Sequence, residues 1–141
     1  MDSSIHSETS VSVLKQAEIL AREAGHDQVH FLDFLLALMR AADTKRFMDA
    51  ADLDYPKLLK DVERFQKAVG ASIVEASAVL EMSPGVDILV SCAETFAKPG
   101  VVTPITHWIA LAFCKDSKTR TLIDLLPFPV STIRRYLKEP D

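Results

Sequence analysis

Apolar residues along this chain recur at helical rather than alternating spacing. Val13, Ala17, Leu20, Ala21 and Ala24 lie at i, i+4, i+7, i+8 and i+11, and the stripe stops at Gly25, which tolerates the positive φ found just past a helix end. The next segment, His30 to Ala42, is apolar almost all round (Phe31, Leu32, Phe34, Leu35, Leu36, Leu38, Met39), so the helix it predicts must be covered on several sides. Asp54-Tyr-Pro56 opens a stripe of Leu58, Leu59, Val62 and Phe65, closed by Gly70. Ser83-Pro84 and Thr103-Pro104 each place a capping hydroxyl before a proline at the first helical position, where its missing N–H costs nothing. The second of these leads into Ile105, Trp108, Ile109, Leu111 and Ala112. Pro129-Val-Ser131 opens a last helix with Ile133, Tyr136 and Leu137 on one face and Arg134, Arg135 and Lys138 on the other. No pair of segments reads as a strand and hairpin, and the pattern predicts an all-α fold.

The pattern also repeats. Ala17-Glu18 and Leu20-Ala21 recur as Ala93-Glu94 and Phe96-Ala97, shifted by 76, and Phe34-Leu35 recurs as Trp108-Ile109, shifted by 74. Phe47-Met48, Leu53, Leu58 and Val62 match Leu122-Ile123, Phe128, Ile133 and Leu137, shifted by 75. This period exceeds the roughly 20–50 residues of solenoid units. The expectation is about eight helices in two pseudo-symmetric four-helix repeats, residues 11–66 and 83–138, forming one domain over residues 1–141. Residues 67–82 connect them; this alanine-rich stretch is expected to extend the fourth helix or form a short extra one.

Composition narrows the function classes without choosing among them. A chain of 141 residues, 48% hydrophobic and 26% charged, buries a core without disulfide or metal staples. A net charge of −4 argues against nucleic acid and anionic membranes as partners. The longest apolar run, Trp108 to Cys114, is far short of the roughly 20 residues that span a bilayer. Residues Met1 to Ser10 carry no secretory pattern, so the expected compartment is the cytoplasm, with Cys92 and Cys114 behaving as small buried hydrophobes.

Candidate chemistry is sparse. His26 and His30, with Asp27 and Asp33 nearby, invite a metal, but they straddle the Gly25 turn and no H-E-x-x-H or C-x-x-C accompanies them; a polar interhelical turn is the simpler reading, and no metal or cofactor is expected. Asp33 falls in the first turn of its helix, where free N–H groups and the positive dipole end favour an anion. His107 beside Thr106 lacks a third orienting group and reads as a helix-start histidine. Trp108 is by default core, and otherwise an aromatic anchor for a partner. Lys115, Lys118 and Arg120 cluster before the seventh helix and, with Arg134-Arg135, read as solvated charge.

Two copies of an A-x-x-L-A pattern, each followed by an apolar helix and two short ones, resemble the N-terminal domain of Clp-type AAA+ unfoldases. The residues are Ala17-Glu-Ile-Leu-Ala21, Gly25-His-Asp27 and Phe34-Leu-Leu-Ala-Leu38, then Ala93-Glu-Thr-Phe-Ala97 and His107-Trp-Ile-Ala-Leu111, within a similarity spanning about 11–138. The family's histidine at the apolar helix is present as His107, but Asp33 replaces it in the first copy, and Thr103-Pro-Ile-Thr106 departs from the usual isoleucine-led start. The resemblance implies a monomeric recognition module that collects substrate polypeptides or adaptor proteins for a Clp-type ATPase ring, in cis or in trans, through an apolar groove. That groove would be lined at positions that look like Val90 and Trp108, with His107 at its border. In one branch the equivalent domain captures a sheath helix in type VI secretion, so sheath recycling is among the implied roles.

No enzyme activity is expected. None of Gly25, Gly70, Gly85 and Gly100 is followed by the Lys-Ser or Lys-Thr of a phosphate-binding loop. A free-standing adaptor or regulator that binds the ATPase is the competing reading, and the polar, proline-containing end Lys138-Glu-Pro-Asp141 favours an excised N-terminal piece over it. A small metal-dependent hydrolase using His26, His30 and Asp33 is a third class. On the groove reading, Trp108→Ala removes client capture while helical content stays.

Overall fold

A computed structural model describes residues 5–69 and 80–137. They form α1 (Glu8–Glu23), α2 (Phe31–Met39), α3 (Ala42–Ala50), α4 (Tyr55–Ala68), α5 (Pro84–Ala97), α6 (Pro104–Phe113), α7 (Ser117–Asp124) and α8 (Val130–Tyr136). The chain is all-α, with no strand among the described residues. The expected extra helix in the connecting stretch falls largely outside the described residues, as do Gly70 and the segment after Leu137.

The starts follow the local chemistry. Ser7, Asp54, Thr103 and Asp116 each accept a backbone N–H three residues on, satisfying one of the orphan donors of the first turn. Ser83 is the N-cap of α5, but its side chain makes no cap bond. Gly25 ends α1 with φ 75°, which a Cβ would disfavour. α7 begins at Ser117, so Lys118 and Arg120 lie inside it rather than before it.

The N-caps Ser7, His30, Ala41 and Asp54 recur as Ser83, Thr103, Asp116 and Pro129, at spacings of 76, 73, 75 and 75. The first run starts at Glu8, three residues ahead of the expected boundary. α2 is buried at every position except Leu32, because α1, α3, α4 and α5 all pack against it. α6 has the same place in the second run, packed by α5, α8, α1 and α3. One apolar cluster contains residues of both runs, including Phe34, Leu38 and Met48 with Val86, Trp108 and Ile133.

Backbone pairing locks the two runs reciprocally. The arm before α1 pairs with the loop before α6: Ser7 N–H donates to Val102 O (2.8 Å) and Val102 N–H to Ile5 O (2.7 Å). The arm before α5 pairs with the loop before α2: Ser83 N–H donates to Val29 O (3.0 Å) and Val29 N–H to Glu81 O (2.9 Å). Both are isolated parallel bridges, and each satisfies backbone groups that burial would otherwise leave unpaired.

These bridges make a measurable signature. In native-state hydrogen exchange the Val29 and Val102 amides, though outside any helix, are expected to exchange about tenfold or more slowly than the exposed Asp27 and Val101 amides. Equal exchange at all four would show that the arms are not held.

Candidate functional site

Each central helix starts on a buried polar cluster, and the two clusters differ. At α2, Asp33 is fully buried and closes back on the N-cap by accepting the His30 N–H (3.0 Å). It also accepts from His26 Nδ1 (2.9 and 2.7 Å to its two oxygens) and from Gln66 Nε2 (2.8 Å), so α4 is tied to the α1–α2 turn through one carboxylate. This is the first-turn acidic residue expected from sequence, with its histidine partner added. His26 is only 1% exposed, and its ring lies edge-on to His30 at 5.0 Å. No group of three or more metal-ligating side chains comes together among the described residues.

At α6 the cluster is built on a hydroxyl. Ser10 Oγ lies 2.7 Å from His6 Nδ1 and 2.8 Å from His107 Nε2. A hydroxyl has one proton, so Ser10 donates to one ring and accepts from the other. The His107 ring also stands edge-on to Phe34 of α2 at 5.4 Å. Burial, with a smaller contribution from His6, pushes the His107 imidazole down from 6.5 to about 4. His6 Nε2 faces Glu94 at 3.7 Å, so α5 supplies the cluster's carboxylate.

The three residues expected to line a groove are all buried: Val90 is 4% exposed, His107 1% and Trp108 0%. The core alternative therefore describes Trp108. Its Nε1–H donates to Thr44 Oγ1 (3.0 Å), and Thr44 in turn donates to Leu38 O (2.6 Å), a polar relay from the second run into the first. Phe128 stacks on the indole at 6.0 Å and Phe47 meets it edge-on at 5.4 Å. Val90 reaches the edge of a surface groove of about 360 Å³ whose rim carries Glu81, Asp87 and Glu94.

A neighbouring groove of about 370 Å³ lies along the outer face of α5. Ile88, Cys92 and Phe96, at i, i+4 and i+8, make its half-buried apolar strip, and the exposed Asp87, Ser91 and Thr95 run beside it. Sequence reasoning missed this strip, although the signal was present. Val86, Leu89, Val90 and Ala93 already supply the fully buried face of α5, so the further apolar residues at 88, 92 and 96, which pack only at the edge of the core, leave apolar surface open.

Two arginines assigned to solvent also do more. Arg120 donates to the Leu111 and Ala112 carbonyls (3.2 and 3.0 Å), and Arg134 Nε donates to Ala112 O (2.9 Å). They satisfy the orphan acceptors at the end of α6 and complement its negative dipole end. At the start of α7, the Thr119 amide and hydroxyl hold the Asp116 carboxyl below its usual range.

No protein-family model and no curated protein sequence matches this chain. Solved structures do. The N-terminal domain of Hsp104 from Candida albicans is similar with a TM-score of 0.77 at 16% identity, over 93% of this chain and 87% of that one. A chain from structural work on a malarial protein secretion system gives 0.69 at 15% identity, over 94% and 95%. A chain from a study of the ATPase ClpV, the TssB–TssC sheath and the accessory HsiE protein of type VI secretion gives 0.72 at 13%, over 96% and 82%. The fold is that of a Clp-type N-terminal domain. No helix among the described residues is long and apolar enough to cross a membrane.

Two outcomes follow from the buried clusters. The unfolded chain takes up a proton at His107 near pH 6.5, but the folded chain resists it until about 4, so this stability is whole above 6.5 and is lost as pH falls toward 4. Unfolding free energies from urea titrations across that window should fall, by roughly a few kcal/mol in total, and His107→Gln should flatten the slope; parallel slopes would remove His107 as the source. Trp108→Ala, in place of a clean loss of binding, should cost roughly 3–5 kcal/mol of stability in the same assay.

Proposed function

We propose that this chain is a non-catalytic recognition module that receives substrate polypeptides or adaptor proteins for a Clp-type AAA+ unfoldase. The observation that carries the reading is the apolar strip Ile88–Cys92–Phe96, left open on α5 in a fold shared with unfoldase N-terminal domains. A short apolar or amphipathic segment lies along the strip and gives up its own apolar surface there. Each side chain fully buried contributes roughly 1.5–3 kcal/mol, which suits capture that must be reversed when the ring pulls. Asp87 and Glu94 beside the strip bias it toward segments with basic flanks. Val90, His107 and Trp108 serve the site indirectly: Val90 is on the buried face of α5 and at the edge of the neighbouring groove, and the other two fix α6, on which α5 packs. Ser10 and His107 are buried and hydrogen-bonded to one another, as are His26 and Asp33, which supports binding over catalysis. A sheath protein is one client class consistent with the similarity to the type VI secretion structure.

The test is binding of a reduced and alkylated, permanently unfolded protein to the purified chain. Ile88→Glu and Phe96→Glu should each weaken it by about tenfold or more, equivalent to about 1.4 kcal/mol, with circular dichroism unchanged. Ile19→Glu, at an exposed site on α1, should bind as the parent does. Full binding by both groove variants would sink the reading.

A further inference from the structure

Cys92 and Cys114 meet sulfur to sulfur at 3.6 Å, with both thiols free. They come from different elements: Cys92 from the third turn of α5 and Cys114 from the C-cap of α6. In the first run the corresponding N-cap spacings lead to Gln16 and Ala41, which line an open cleft of about 410 Å³. Where the first half leaves a cleft, the second brings two sulfurs together. Their access is unequal, because Cys92 lines the α5 groove whereas Cys114 is 2% exposed.

We propose that Cys92 and Cys114 form a dithiol site for thiol–disulfide exchange, oxidised by a small-molecule disulfide that reaches Cys92 through the α5 groove. In the first step the Cys92 thiol loses its proton to solvent and its sulfur attacks one sulfur of the small disulfide. That S–S bond breaks, one thiol leaves, and a mixed disulfide remains on Cys92. In the second step Cys114 loses its proton and attacks the Cys92 sulfur, expelling the second small thiol. Two electrons and two protons pass from the protein to the small disulfide, which becomes two thiols. The unequal burial sets the order, since the small disulfide arriving from solvent can reach only Cys92 and the buried Cys114 can reach only its neighbour.

Contact between the two sulfurs makes the second step intramolecular and fast relative to capture of another small thiol. The S–S bond needs about 2.05 Å, so the sulfurs close the remaining gap by side-chain rotation and small shifts of α5 against α6. Burial and the neighbouring thiol push Cys92 up to about 11, so the first step is slow at neutral pH and quickens as pH rises. The product is a slowly made crosslink between the groove wall and the end of α6.

The experiment uses the whole chain with oxidised glutathione, quenched by acid alkylation and mapped by mass spectrometry under non-reducing conditions. Wild type should lose two hydrogens and yield a peptide crosslinked between Cys92 and Cys114. Cys114→Ser should stop with glutathione on Cys92, and Cys92→Ser should stay unmodified, both with parent circular dichroism. The rate should rise about tenfold per pH unit through the mildly alkaline range. Glutathione persisting on Cys92 in wild type would overturn the proposal. So would a wild type left unreacted under conditions that fully exchange a cysteine in a short peptide, or a Cys92→Ser variant that reacts at Cys114.

Discussion

The constraint on which the rest of the molecule depends is the exchange of arms between its two halves. Ile5–Ser7 is held by Val102, and Glu81–Ser83 is held by Val29. Each arm leads into the first helix of its own half while its hydrogen bonds belong to the other. The helices α1 and α5 are thereby placed against both α2 and α6, and the two central helices acquire the cover that their apolar surfaces demand. Neither half has a complete core alone, because the Trp108–Thr44 bond and the Phe34–His107 contact both cross between them.

The same backbone frame is finished with different chemistry in each half. Asp33 gathers His26, Gln66 and the His30 amide around a carboxylate, whereas Ser10 joins two imidazoles around a neutral hydroxyl. The first arrangement is centred on a carboxyl group and the second on a hydroxyl with Glu94 at its edge, and the depressed His107 pKa is the cost of the second in acid. The difference also reaches the surface: the first half keeps a cleft beside Gln16 and Ala41, and the second has a sulfur pair and an apolar strip.

Features set by neighbouring residues were legible in the sequence. Asp54, Ser83-Pro84 and Thr103-Pro104 marked helix starts because capping and proline geometry act within one turn. The start of α7 is less legible, because its cap, Asp116 with Thr119 three residues on, is embedded among the basic residues Lys115, Lys118 and Arg120. Matching by apolar residues aligned Asp33 with His107, but the helix starts align it with Thr106, and both residues close a bond onto their own N-caps. A one-residue slip of this kind is invisible to an apolar pattern, because α2 and α6 are apolar almost all round and either alignment matches apolar residue to apolar residue. The arginine caps on α6 and the arm exchange were beyond reach, because they join residues far apart in the chain. Trp108 shows the other limit. An aromatic in a helix that is apolar all round belongs inside, and surplus apolar positions on α5, at 88, 92 and 96, were the better sign of a surface to be covered.

The arm exchange also bears on the order in which the protein is made. Synthesis runs from the N-terminus, so Val29 and α2 leave the ribosome well before Glu81 and Ser83 exist to pair with them, and Ile5 and Ser7 wait longer still for Val102. During that interval α2, the most apolar of the described helices, has α1, α3 and α4 against it but not α5. The nascent first half is therefore a sticky intermediate whose burial is completed only by sequence not yet translated, and the moment of greatest aggregation risk falls midway through the chain.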